Sequence, residues 1–551
     1  MVMSDISSSS SRRFTPAPPW RPADHSLPVR PPVPSAGALL ARWARERGDR
    51  PALADHRQTI TYGQLERSVA AAAGAMAGLG VRQGDRVAAS IPSGVDVVVA
   101  FWATQCLGAV WVGVLPALSE RERAEQLADS GAMLYIATPE TARLGPERPA
   151  TLAIVVEAGS EGPGGSEWDR LCAAAEPSGG TAFPPPDPDA PATIAYTSGT
   201  TGRPKGVVHS QRNLLLPGSV LLSMGLYRQK WVFGVCHPVT QLNLMLTGPV
   251  LAALAGQCCV LTSTTDPVEL SRWVRRFGVN AMAVVPTVLH GFVTEPGVRS
   301  EDLRSLEGLT VGGARCPVEL RHQLRARHGL EFTLRYGQTE VPTVISLELP
   351  GLPLPVGSAG RPAPHLRVRA VDREGRALPA GEQGEICIFP AADGRWARAW
   401  RPMLEYWHRP GETAARLRGG MLHTGDMGTV GEDGSLFLLG RLDDVVIRGG
   451  ANVFPAEVER VILEDARVDT CAVFGVADER LGEQIVAAVT VRRGCHVTPE
   501  EIVSRCRGGL AHYKVPHHVA VVEELPRTPI GKVDRTALRQ LHAPDPEAPA
   551  R

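Results

Sequence analysis

The sequence predicts an α/β fold: a large N-terminal domain of mixed α/β sheets plus a small β subdomain, followed by a small α+β C-terminal domain. Three observations predict it. Stretches of helical and strand periodicity alternate over residues 36–360, the mark of largely parallel sheets covered by helices. Over residues 361–440 the pattern turns to short strands broken by turn signals such as "DREG" and "GEDG". Beyond "GRLDD" the chain restarts as a unit of about a hundred residues with its own helices and strands, a normal size for a small domain. A chain of 551 residues also exceeds one core, since single cores stop growing at about 250–300 residues.

The elements follow in order. Residues 1–35 are rich in Ser, Pro and Arg and are expected to be disordered or draped over the surface. "AGALLARWARER" has a helical pattern, and "TITYGQLERSVAAAAGAMAGLG" joins a strand edge to a helix. "DRVAASIPS" is a strand, and "VDVVVAFWATQCLGAVWVGV" is a helix feeding a strand. "SGGTAFPPPDPDAP" (178–191) is a linker by composition and delivers the chain to "ATIAYTSGTTG", an apolar strand entering a glycine loop. "HLRVRAV", "GEICIF" and "GSLFLLG" are the short strands of the β subdomain. "PAEVERVILE", "DTCAVFGVAD", "QIVAAVTVRR", "TPEEIVSRCRGGL" and "HHVAVVEEL" build the last unit, and the tail is expected to be disordered. The boundaries are therefore 1–35, 36–442, 443–541 and 542–551. No internal repeat is present.

Composition excludes several function classes. Hydrophobic residues make up 43% and charged residues 21%, a globular balance. Lys plus Arg total 58 and so do Asp plus Glu. With no net field and no basic run, there is no footprint for nucleic acid or an anionic membrane. The 10 cysteines form no Cys-x-x-Cys pair and no metal-ligand spacing, and Cys258-Cys259 in an apolar run reads as buried reduced thiols. That suits a reducing compartment. The first residues lack the apolar segment of a signal peptide, and no stretch approaches ~20 consecutive apolar residues. The expectation is a cytoplasmic protein with no membrane span.

The stretch "YTSGTTGRPKGVVHSQRNLL" (196–215) carries the first chemistry. Glycines let backbone N–H groups approach anionic oxygens, while Thr197, Ser198, Thr200 and Thr201 add hydroxyl donors. Lys205 supplies a point charge, and a helix-like stretch is expected to follow. The spacing Gly199-Thr200-Thr201-Gly202-Arg203-Pro204-Lys205 fails the Walker pattern, in which the lysine adjoins the last glycine. It fails the kinase glycine pattern as well. A phosphate cradle and a flexible surface turn are both compatible with these residues alone.

Further motifs decide between them. "VGGAR" (311–315), "YGQTE" (336–340), "GEICI" (384–388), "HTGD" (423–426), "GRLDDVVIRGGANVFPAEVE" (440–459) and "PRTPIGKVDR" (526–535) follow in order. With the loop, this series closely resembles the adenylate-forming superfamily of acyl-CoA synthetases, peptide-synthetase adenylation domains and luciferases. The resemblance covers residues 36–541. It implies a large AMP-binding domain over 36–442 and a small mobile lid over 443–541. It implies that a carboxylate attacks the α-phosphorus of ATP, giving an acyl-adenylate and pyrophosphate, and that a thiol then displaces AMP. ATP, Mg²⁺ and coenzyme A, or a carrier protein's phosphopantetheine, are the implied cofactors.

The resemblance also assigns roles. The loop from Thr197 through Ser198, Gly199, Thr200, Thr201 and Gly202 to Lys205 would hold the β- and γ-phosphates. Glu340 would ligate Mg²⁺, a hard cation suited to a carboxylate, and Thr339 would hydrogen-bond the α-phosphate. Tyr336 offers adenine a π-face beside Gly312, Gly313 and Ala314. Asp426 would accept from the ribose hydroxyls, and Arg441 would reach the nucleotide. Lys532 matches the lysine that stabilises charge as the carboxylate attacks. Asp443 matches the hinge about which the lid turns, bringing in either Lys532 or the Gly449-Gly450 segment at the pantetheine channel. "RGGANVFPAEVE" favours the thioester-forming type. One departure is Glu405-Tyr406-Trp407, where the family often has a glycine before Tyr-Trp; no catalytic role is expected there.

The acid pocket is expected along 238–246, 286–290, 311–314 and 335–341, with Gln241, Asn243, Thr287, Gly313 and Gly337 facing the acid. No Asp or Glu occurs over 231–265, so an α-ammonium would be left unpaired, which disfavours amino acids. Gln241 and Asn243 suit a ring substituent of an aryl acid, or else serve packing and capping. Leu242, Leu244 and Met245 leave an aliphatic acid open. The leading expectation is a carboxylate–CoA ligase for an aromatic or other non-amino acid. Carrier-protein loading, a non-thioester use of the adenylate and a non-catalytic nucleotide-binding role are the alternatives.

Overall fold

In the computed structural model of the chain, the residues described are 36–542 apart from 146–148, 150, 151, 153, 159–164, 176–186, 198–203, 229, 263, 314, 315, 317, 350, 353, 449, 450, 479 and 529–532. The expectations for residues 1–35, for the distal tail and for most of the 178–191 linker lie outside the described residues.

Helices begin where the sequence caps them. Thr61 and Gln64 form a capping box on Tyr62–Gly78, and Ser119 and Glu122 form another on Glu120–Ser130, each satisfying backbone donors that the first turn leaves free. Helix Val95–Cys106 buries residues around its whole circumference, including Val98, Phe101, Trp102 and Ala103. Such a helix has no solvent face and belongs between layers. Phe101 meets Trp102 and Trp111 edge-on, at 5.4 and 5.7 Å between ring centroids, the geometry aromatic quadrupoles prefer.

Two large sheets frame this core. One has seven strands in the order Glu405–Tyr406, Lys205–Ser210, Pro191–Thr197, Val110–Gly113, Arg86–Ser90, Leu134–Ala137, Ile154–Glu157. The strands from Pro191–Thr197 onward run parallel, and the two before it are added antiparallel at the edge. The other has nine strands in the order Arg361–Pro362, Val341–Leu347, Phe332–Gln338, Gly308–Val311, Ala281–Val284, Phe233–Val235, Cys259–Leu261, Pro51–Ala54, Thr59–Thr61. Its middle is parallel and both its ends are antiparallel.

The predicted β subdomain is a four-stranded antiparallel sheet of Leu366–Val371, Gly384–Pro390, Leu422–Val430 and Leu436–Arg441. Residues 446–541 contain a five-stranded sheet, in which Val468–Asp478 pairs antiparallel with Gly482–Val491 and His518–Val521 joins parallel. Its core of Val458, Val473, Ile485, Val489 and Ile502 is separate from the others. Among the described residues no helix is long and apolar enough to cross a membrane.

One expectation is corrected. The stretch after the glycine loop does not enter a helix directly: Lys205–Ser210 is a strand, and helix Gln211–Ser223 follows it. The β-branched pair Val207-Val208 is wholly buried, which suits a pleated strand better than a helix. Thr197 faces Lys205 across the ladder, so the loop residues 198–203 join the two strands of a hairpin.

Candidate active site

The hairpin places Lys205 at the first position of its strand. Its ammonium pairs with Glu412, from helix Pro410–Arg416, and stands 5.5 Å from the centre of the Tyr406 ring. Glu412 is about half exposed, so this anion can be displaced from the lysine. Thr197 keeps its hydroxyl within the hairpin, donating to the Lys205 carbonyl at 3.4 Å. Ser198, Gly199, Thr200, Thr201 and Gly202 lie outside the described residues.

Farther along the same strand is His209, wholly buried. Its Nδ1 is 3.2 Å from the Asn213 amide nitrogen and its Nε2 is 2.7 Å from the Thr339 carbonyl. The amide nitrogen can only donate and the carbonyl can only accept, so Nδ1 accepts and Nε2–H donates. Burial pushes the imidazole down to about 4, so it is neutral across the physiological range. A neutral histidine thus holds the backbone of the Thr339-Glu340 turn.

That turn follows strand Phe332–Gln338 and carries the centre of the site. Glu340 is buried, with Oε1 accepting from the Tyr406 hydroxyl at 2.6 Å and from Arg416 at 3.3 Å. Burial works against the charged form, but the Arg416 charge and the Tyr406 hydroxyl outweigh it and hold the carboxyl below the usual range. Arg416 is itself fixed by the Gln338 side-chain oxygen at 2.9 Å. Its guanidinium packs on Gly425, where φ is +68° and a Cβ would come within 2.9 Å of Arg416 Nη1. Any larger residue there would be strained and would displace the arginine.

Tyr336, Asp426 and Arg441 form a second cluster beside the first. Asp426 and Arg441 are cross-strand partners, and Arg441 Nη1 is 3.0 Å from Asp426 Oδ1. The Tyr336 hydroxyl donates to Asp426 Oδ2; burial, and then the Asp426 charge, keep that phenol protonated. The Thr424–Asp426 stretch of strand Leu422–Val430 is braced by Glu385, which accepts from the Gly425 N–H at 3.1 Å and contacts His423 Nδ1 at 2.8 Å.

Cys387 Sγ approaches the same His423 nitrogen at 3.3 Å, and Arg418 reaches Glu385 at 3.2 Å. This group is a brace for the strand: two partners converge on one ring nitrogen, and a guanidinium pairs with the carboxylate. The sequence showed no metal-ligand spacing here because strand pairing alone brings Cys387 opposite His423.

Direct contacts therefore join Tyr336, Thr339, Glu340, Asp426 and Arg441 to one another or to shared partners, and Tyr406 links them to Lys205. Gly312 donates its N–H to the Val284 carbonyl at 3.2 Å, at the end of strand Gly308–Val311, and Gly313 follows with φ +83°. Asp443 lies in the single 3-10 turn Leu442–Asp444, between the four-stranded and five-stranded sheets. Ala314, Gly449, Gly450 and Lys532 lie outside the described residues. The segment carrying Lys532 is flanked by the antiparallel bridge Arg527–Val533.

The acid-facing residues are arranged differently. Pro238-Val239-Thr240-Gln241 crosses Gly113, where a Cβ would stand 1.9 Å from the Thr240 carbonyl oxygen, so only glycine admits this approach. Gln241 precedes helix Leu242–Met245 without capping it through its side chain. Pro249 cannot supply an N–H, and the helix widens to a π-helical turn over Leu246–Val250. Asn243, Thr287 and Gly337 are exposed. None of the acid-facing side chains hydrogen-bonds to the Glu340 or Asp426 clusters among the described residues.

Residues that sequence reasoning passed over are Tyr406, Arg416, Glu412, His209 and Glu385. No catalytic role is expected at the Glu405-Tyr406-Trp407 segment, and within it the Tyr406 hydroxyl holds Glu340. The only sequence signals were the His209–Asn213 spacing, one helical turn, and the departure already noted at Glu405.

A family model described as AMP-binding enzyme matches residues 40–389, and one described as AMP-binding enzyme C-terminal domain matches residues 457–532. A feruloyl-CoA synthase of Amycolatopsis sp is 34% identical over 483 residues, covering 87% of this chain and 94% of the relative. A fatty acid–[acyl-carrier-protein] ligase, ScoC of Streptomyces coeruleorubidus, is 32% identical over 496 residues, covering 89% and 93%. The crystal structure of ATP-bound MatB from Rhodopseudomonas palustris superimposes with a TM-score of 0.83 at 26% identity, covering 93% of this chain and 99% of that one. Sequence motifs, site geometry and these likenesses agree: the chain belongs to the AMP-binding enzyme family.

Proposed function

We propose that the protein activates an aryl or other non-amino carboxylic acid and transfers it to the thiol of coenzyme A. It is an AMP-forming acid–thiol ligase. The observation that carries the proposal is the pair of linked clusters. An ionised, buried Glu340 lies beside a carboxylate, Asp426, that is oriented by a tyrosine and an arginine. Asp426 is suited to accept from a ribose diol, and Arg441 to hold the α-phosphate side of the nucleotide. Lys205 would exchange Glu412 for the β- and γ-phosphates. A buried carboxylate kept charged at neutral pH fits a hard divalent cation, so Glu340 would hold Mg²⁺, which supplies charge neutralisation on the phosphates when bound.

The chain's own residues then position the reaction. His209 fixes the Thr339-Glu340 turn through a backbone carbonyl, so the turn is held in place for the Thr339 hydroxyl that would bond the α-phosphate. Fixed donors around the developing phosphorane contribute because they need no reorganisation. Lys532 would enter with the lid over 443–541, turning about Asp443, and would stabilise charge as the acid attacks. The opposite pose would present Gly449-Gly450 to pantetheine. A feruloyl-activating relative and the absence of any Asp or Glu over 231–265 support an aryl acid over an amino acid.

The test is pyrophosphate release across aromatic, aliphatic and amino acids, with CoA and without it, on the wild type and on Lys532→Ala. The expected result is release with aryl acids, acyl-CoA only when CoA is present, and near-complete loss of release in a folded Lys532→Ala. Normal release in that variant refutes the mechanism, and product only on a carrier protein moves the acceptor from CoA to phosphopantetheine.

A further inference from the structure

Arg335 is half-buried on strand Phe332–Gln338, directly before Tyr336. Strand alternation puts Arg335 and Gly337 on the face opposite Tyr336, away from Asp426. Its Cβ side approaches Gly312, whose own Cβ would lie 3.0 Å from the Arg335 carbonyl oxygen. Both positions fall within stretches expected to line the acid pocket.

Other arginines near this sheet have carboxylate partners: Arg321 with Glu348, Arg416 with Glu340 and Arg441 with Asp426. Arg335 has none among the described residues. Its Nη2 donates to the Tyr227 hydroxyl at 2.5 Å, and its charge lies 5.7 Å from the centre of that ring. Its Nε is buried without a hydrogen-bond partner. A guanidinium taken from water with one neutral partner and an idle donor is incompletely compensated. Its planar fork matches a carboxylate better than any other common group.

We propose that Arg335 recognises a second carboxylate on the acid, remote from the one that is adenylated, so that the preferred substrate class is dicarboxylic. This rests on the acid-activating function proposed above and narrows its substrate.

The experiment compares matched acids, benzoate with isophthalate and hexanoate with adipate, by pyrophosphate release and by calorimetric binding. The proteins are wild type, Arg335→Met, Arg335→Lys and Tyr227→Phe. For the wild type, kcat/KM favours the dicarboxylic member of each pair. Arg335→Met loses about 10- to 100-fold on the dicarboxylic acids, through KM, and stays within about threefold on the monocarboxylic ones. Arg335→Lys recovers part of the preference, as a point charge without the fork, and Tyr227→Phe keeps it. Equal losses on both members of a pair, or a Tyr227→Phe phenotype matching Arg335→Met, would mean a purely structural strut and overturn the proposal. A wild type that favours the monocarboxylic members overturns it as well. Absence of release with every acid, together with absence of acid binding, refutes the activity itself and is distinct from a lost preference.

Discussion

Replacing Arg416 by methionine separates the charge of the Glu340 pair from its packing. Methionine keeps an apolar stem of similar length and removes the cation nearest a buried carboxylate, which keeps its bond from the Tyr406 hydroxyl. Breaking a buried pair by removing one partner costs about 3–5 kcal/mol, and the lost bond to Gln338 adds about 1 kcal/mol. The first part depends on pH and the second does not.

In the wild type, the folded Glu340 titrates below its unfolded value. Its contribution to stability is therefore present above the unfolded pKa and is lost as pH falls through the folded one. In the variant, burial dominates and the sign reverses. The folded carboxyl titrates above the unfolded value, and stability falls as pH rises until the group ionises. Protonation at pH 5 relieves most of the charge penalty, leaving about 1–2 kcal/mol; at pH 8 the full penalty remains.

With an unfolding entropy of about 2.1 cal/mol/K per residue, a unit of about 400 residues shifts by about 1 °C per kcal/mol. The expected loss in Tm is about 4–6 °C at pH 8 and about 1–2 °C at pH 5, read by differential scanning fluorimetry against wild type at each pH. The acidic limb of the pH–rate profile should also move to higher pH, because the ionised Glu340 is the active form. Equal losses of Tm at both pH values, with an unmoved limb, would refute the claim that Arg416 is what keeps Glu340 charged.

Three further substitutions test the rest of the site. Asp426→Asn removes charge-assisted acceptance worth about 1.5–3 kcal/mol, so KM for ATP should rise about 10- to 100-fold while KM for the acid stays near wild type; a change confined to the acid would contradict the ribose assignment. Glu412→Gln frees Lys205 from a half-exposed pair worth about 0.2–1 kcal/mol, so KM for ATP should fall about 1.5- to 5-fold, and an increase would show that Glu412 instead aims the lysine. His209→Phe takes this donor from the part-buried Thr339 carbonyl, at about 1–3 kcal/mol; kcat should drop about tenfold or more with KM for the acid unchanged, His209→Gln should recover part of it, and a uniform rise in both KM values would assign His209 to packing only.

Much of the fold was legible because its signals are local. The apolar run 95–106 and the "DREG" and "GEDG" turns each act within a few residues. The strand Lys205–Ser210, which precedes the helix expected after the glycine loop, was missed for a nonlocal reason. Val207-Val208 becomes a strand because an edge is available, with Thr197 opposite Lys205 on one side and Glu405–Tyr406 pairing on the other. The site divides in the same way. Glu340, Asp426 and Arg441 stand in motifs that a reader of the chain can match. Tyr406 and Arg416 act on Glu340 from 66 and 76 residues away, and His209 on the Thr339 carbonyl from 130, and nothing in their local sequence states a partner.

The sequence by itself determined the family and the fold class, and it carried the expectations for the nucleotide-facing residues and against an amino-acid substrate. Those follow from motif chemistry and composition, which do not depend on how distant segments pack. Only the tertiary structure decided the charge states and the pairings. Glu340 is ionised because Arg416 stands against it, His209 is a neutral donor because it is wholly buried beside Asn213, and among the described residues Arg335 meets a phenol rather than a carboxylate. Each of these depends on desolvation and on the distance to one particular group, and both are set only when the sheets close around the site.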